Sequence, residues 1–217
     1  MKAAYAAIIG VLALFFSACV SGDEITSYVI EPDGAVAFSI YRLNLTSDQT
    51  GEDAKNELAN YIQELEEKKD DPFTGFAKAN AEEVKVTVLR ATSPASVLIA
   101  GRFPSLEDFA AYISGEDKDS GPVCTPISTE HTRGLLFELT QGVSEEEANT
   151  GITEARADSM NETRFALAEG IFTKSEGFLL AHDKRSAILD EDASSKILNS
   201  KNPITAFSLE WQIPEAP

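Results

Sequence analysis

Cys124, His131, His182 and Asp183 are the side chains of this 217-residue sequence whose types suit a nucleophile, a base and an orienting acid. Cys124 stands in Gly121-Pro122-Val123-Cys124-Thr125-Pro126. A thiol nucleophile needs a base beside it, and His131 and His182 are the chain's two histidines. A Cys124–His131 or Cys124–His182 dyad would make a hydrolase. No nucleophile signature surrounds the thiol, however, so a small buried hydrophobe or spare thiol is the plainer reading. His182-Asp183 and Glu130-His131 each set a carboxylate beside an imidazole. No His-x-x-x-His or Cys-x-x-Cys spacing presents metal ligands together, so structural or solvated histidines are expected and no metal. Asp117-Lys118-Asp119 opens like a calcium loop, but its sixth position is Pro122 and its bidentate position is Ser128, which excludes an EF-hand. There is no Gly-rich phosphate loop and no Gly-x-Ser-x-Gly elbow, so no cofactor is expected and no catalytic residue is assigned.

The elements that must carry these residues are legible in part. Hydrophobic residues make up 43% of the chain, too many for a disordered tail. Lys and Arg number 18 against 36 Asp and Glu, and the net charge of −18 argues against a nucleic-acid partner, which needs a basic footprint. Tyr28 to Pro32 and Ala35 to Leu45 read as strands joined by the Pro32-Asp33-Gly34 turn. Ala54, Leu58, Tyr61, Ile62 and Leu65 form one stripe of a helix at 53–69 that Asp71-Pro72 should stop. Glu83 to Arg90 and Ser96 to Phe103 suggest a hairpin through Ser93-Pro94. Ser105 with Asp108 caps a short helix to Ile113, and 114–132 reads as a long loop before a strand at 133–140. Ser144 and Asp192 look like helix starts. A hairpin through Thr173-Lys174-Ser175 joins strands at 164–172 and 176–181, and Ile204 to Ile213 is a last strand. About eight strands and two to four helices, with hairpins outnumbering strand–helix–strand units, predict an α+β fold. Its sheet is mainly antiparallel and its helices pack on one face.

The clearest signal is an address. Met1-Lys2 is followed by an uncharged run from Ala3 to Ala18, too short at 16 residues to span a bilayer that needs about 20. It ends in Phe16-Ser17-Ala18-Cys19, which resembles the lipobox of bacterial lipoproteins, with Phe16 where that class most often has Leu. The resemblance implies cleavage before Cys19 and lipidation of its thiol, so that the membrane is a partner through the anchor. It also implies the outer membrane in a diderm organism, because Val20 rather than Asp follows the cysteine. An ordinary signal peptide cut near Ala18 would instead leave Cys19 to pair with Cys124. On the lipobox reading, 1–18 is a signal peptide, 19–27 a polar tether, 28–213 one α+β domain and 214–217 a tail. Discarding 1–18 removes Lys2 and no acid, which takes the net charge from −18 to −19.

With an address but no catalytic constellation, the sequence points to a lipid-anchored envelope protein of non-catalytic, binding or assembly type, its partner an envelope protein or ligand. An envelope hydrolase and an acyl-chain carrier are the alternatives. The hydrolase requires Cys124 or His182 in a pocket, and the carrier requires an apolar cavity beneath the helix at 53–69.

Overall fold

The structure is a computed structural model that describes residues 20–69, 71–115, 122–129, 131–140, 163–190 and 204–212. Cys19 and the lipobox, and the helix starts read at Ser144 and Asp192, lie outside these residues. Eleven strands in two sheets and three helices make up the described chain. The first sheet has seven strands, in spatial order β3 (Glu82–Arg90), β4 (Ala95–Phe103), β2 (Val36–Ser47), β1 (Val20–Ile30), β7 (Thr163–Leu167), β10 (Ser186–Leu189) and β9 (Phe178–Leu180). The second has four: β5 (Pro122–Ser128), β6 (Thr132–Thr140), β11 (Ile204–Gln212) and β8 (Phe172–Glu176). Pairing is antiparallel throughout, except that β1 and β7 run parallel.

The fold is therefore sheet-rich and mostly antiparallel, as expected, but its strands are divided between two sheets. The alternation of β1 and β2 explains the inner face. Tyr28, Ile30, Val36, Phe38 and Ile40 are buried, while Ser27, Val29 and Ser39 between them turn the other way and stay partly exposed. Onto this inner face pack α1 (Gly51–Glu66), through Leu58, Ile62 and Leu65, and α3 (Leu106–Ser114), through Leu106, Phe109 and Ala110. Phe76 of α2 (Asp71–Lys78) stacks on Phe38 with ring centroids 4.6 Å apart. Ser105 caps α3 as read, accepting the Asp108 amide at 3.0 Å. Phe137 of β6 and Phe165 of β7 meet at 5.5 Å, and Phe165 meets Tyr28 at 5.6 Å, so the second sheet joins the same core.

Four expectations are corrected. Residues 20–27 are not a tether: Val20 to Ile30 is one continuous strand, its first residue opposite Ser47. Ser21 to Ile25 is exposed on both faces, so it lacks the alternation that marks a half-buried strand, and pairing with β2 holds it. The helix read at 53–69 runs over Gly51–Glu66, so it does end before Asp71-Pro72, but that pair then opens α2, because proline fits the first turn, where its missing N–H is no loss. The loop read at 114–132 contains β5, whose Pro122 and Pro126 are tolerated because this is an edge strand. Finally, Thr173-Lys174-Ser175 is no turn but the middle of β8. The chain leaves β8 for β9, and so one sheet for the other, at Gly177.

Candidate functional site

Cys124 lies inside β5 opposite Phe137, 6% exposed, as a free thiol within the hydrophobic core. Its amide donates to Ser114 Oγ at 2.9 Å, which ties β5 to the end of α3. Burial pushes the thiol up to about 12, the opposite of the lowered value that makes a reactive thiolate. His131 is exposed in the turn between β5 and β6, beyond Ser128. Ser128 itself is about 13 Å along the strand from Cys124 at about 3.3 Å per residue. His182 and Asp183 are exposed in the turn between β9 and β10, at the far edge of the other sheet. Asp183 Oδ1 accepts the Arg185 amide at 2.9 Å and so shapes its own turn. The four candidates are not brought together, and among the described residues no group of three or more His, Cys, Asp or Glu is placed to hold a metal.

The expected consequence is that Cys124 does not react with thiol reagents in the folded protein near neutral pH. Labelling of the native chain by a maleimide should be slower by orders of magnitude than labelling in guanidinium. Comparable rates in the two states would show an accessible, activated thiol.

The structure instead forms a cleft of about 140 Å³ where three elements converge. The β1–β2 turn contributes Asp33 and Gly34, the start of α3 contributes Ser105 and Glu107, and the β5–β6 hairpin contributes Pro126 and Arg133. Asp33 is engaged by Arg102, just outside the lining. The Arg102 fork donates to Glu31 Oε2 (3.1 and 2.9 Å) and to Asp33 Oδ2 (2.8 Å). The Ala35 amide, donating to Asp33 Oδ1 at 3.0 Å, and the charge of Arg102 hold the Asp33 carboxyl below its ordinary value. Arg133 Nη1 donates to the Pro32 carbonyl at 3.4 Å and lies over Gly34, where a Cβ would come within 2.8 Å of it. Gly34 also has φ of +94°, so the turn needs glycine for both its conformation and its neighbour. At this size the cleft would take a small polar group or the edge of a partner, not a buried drug-sized ligand. Sequence reasoning found the turn and the helix cap singly. That Arg133 meets them is a result of topology.

A second surface is open. On the outer face of the seven-stranded sheet Ile25 stands opposite Tyr41, and Leu179 opposite Ile188, all at least 36% exposed. Beneath α1, Leu58, Ile62 and Leu65 fill the space an acyl chain would need.

No family model matches this chain, and no curated protein matches it. Among solved structures it is similar to the NMR structure of the folded domain of the LppM protein of Mycobacterium tuberculosis. The likeness covers 92% of this chain and 93% of that one at 11% identity, with a TM-score of 0.44. A likeness this distant carries no argument about function. No helix among the described residues is long and apolar enough to cross a membrane.

Proposed function

We propose that the protein is a lipid-anchored protein of the cell envelope, held in the membrane by acyl chains on Cys19, and that its domain acts by binding rather than catalysis. The observation that carries this reading is the run Ala3 to Ala18 ending in Phe16-Ser17-Ala18-Cys19. Two or three acyl chains give a firm anchor where one holds marginally, at about 0.8 kcal/mol per buried methylene. Val20 after the cysteine favours the outer membrane where the organism has one. The binding role is supported by the burial of Cys124, by the separation of both histidines from it, and by the apolar side chains on the outer sheet face.

The test is the mass of the mature chain extracted from membranes. A first residue Cys19 carrying a diacylglyceryl group is expected, and Cys19→Ala should move the protein from the membrane to the soluble fraction. A mature chain with unmodified Cys19 would overturn the reading.

A further inference from the structure

Resting on the acylation of Cys19, we propose that the domain stands upright on the bilayer on the end of the seven-stranded sheet where β1 begins. The β3–β4 hairpin then touches the lipid headgroups, and the cleft points away from the membrane. The first observation is the absence of slack. Val20 is already in register with Ser47 and packed against the core. Only the Cys19–Val20 peptide link, about 3.8 Å between Cα atoms, separates an acylated residue from the folded sheet. The strand it joins is central in the order of the sheet, with β2 beside it from Val20 to Ile30 and β7 beside it from Thr26 to Ile30.

Register then decides what shares that end. Leu45 lies opposite Ala95 and Arg90 opposite Ser96, which places the β3–β4 hairpin beside the start of β1. At the other end Ile30 lies opposite Val36 and Val36 opposite Phe103, which places the cleft there. The eleven residues of β1 separate the two ends by about 33 Å at about 3.3 Å per residue.

Charge selects the contacting part. From Val86 to Gly101 the two strands and their turn hold Arg90 as their one charged residue and no acid, although the whole sequence has twice as many acids as bases. At the hairpin Arg90 is exposed and Leu89 is 51% exposed, a cation and an apolar side chain suited to an anionic headgroup layer. Asp23 and Glu24 of β1, Asp48 before α1, and Glu52 and Asp53 in its first turn are repelled by the same layer within a Debye length of about 8 Å at physiological salt, the ion pair with Arg42 offsetting Glu24. The pair of forces tips the β3–β4 side toward the lipid.

The test uses the full chain purified from membranes and reconstituted in vesicles that contain phosphatidylglycerol and a headgroup-nitroxide lipid. Fluorophores are placed through Thr92→Cys at the hairpin and, separately, Glu107→Cys at the cleft; the unsubstituted protein corrects for any label on Cys124. Quenching several-fold stronger at position 92 than at 107 is expected. A ten-residue Gly-Ser spacer between Cys19 and Val20, with an r.m.s. length of about 16–19 Å, should remove most of that difference while the protein still floats with the vesicles. An acylated, floating chain with equal quenching at both positions, or a difference that the spacer leaves unchanged, overturns the orientation alone. A chain without the acyl mass overturns the anchor, and the orientation with it.

Discussion

Phe103→Ala is expected to destabilise the domain by about 3–5 kcal/mol, the range for removing a fully buried aromatic ring. Phe103 ends β4 with no exposed surface, and its ring has Phe38 and Tyr112 at 5.0 Å, Phe109 at 5.7 Å and Phe76 at 6.3 Å. These rings come from β2, α2 and α3, so one truncation loosens both helices and the sheet they pack on. Tilted aromatic pairs add about 0.5–1.5 kcal/mol beyond the area they bury. Collapse of the hole is resisted because each neighbour is itself held by another ring. The check is urea unfolding, where the midpoint should fall while the slope stays unchanged. A loss below about 1 kcal/mol would show that the surrounding rings close the gap, and the helices would then be less tightly fixed than their packing implies.

Gly177→Ala comes next, with an expected cost of about 2–5 kcal/mol. Two independent penalties meet there. The residue has φ of +77°, a conformation that costs a residue with a Cβ about 1–2 kcal/mol. An added Cβ would also lie 2.1 Å from Phe207 Cδ1 and 2.8 Å from Cε1, and overpacking of this kind costs about 1–3 kcal/mol. Phe207 is 3% exposed and meets Phe178 at 6.3 Å, so its ring has little room to yield. Because the chain changes sheets at this glycine, the substitution strains the link between them. Thermal unfolding followed at Trp211 in β11 reports on the second sheet. A melting temperature within about 2 °C of the unsubstituted protein would show that Phe207 swings aside freely.

Side chains that act locally were legible in the sequence. Pro32-Asp33-Gly34 specified its turn, and Ser105 and Asp108 their cap. Segments that depend on distant partners were not. The polar start of β1 carries no periodicity because its order comes from β2. The prolines of β5 suggest a loop unless the strand is known to lie at an edge. Gly177 marks a crossing between sheets only after both sheets exist. The candidate site shows the same divide. Cys124, His131, His182 and Asp183 were chosen by residue type, and residue type could not reveal that their elements hold them apart. Arg133 and Asp33 face one cleft although about a hundred residues separate them along the chain.

The parallel pairing of β1 with β7 also governs the order of assembly. Thr26 waits for Thr163, so the second edge of β1 from Thr26 to Ile30 is covered only when a strand from late in the chain arrives. Such distant pairing delays folding, because the entropy of closing the intervening chain is spent before the contacts form. In the interval β1 presents a free row of amides and carbonyls, a template for pairing with another chain. A polypeptide released before residue 163 would keep that edge open, which makes the last quarter of the sequence the part that guards β1 against self-association.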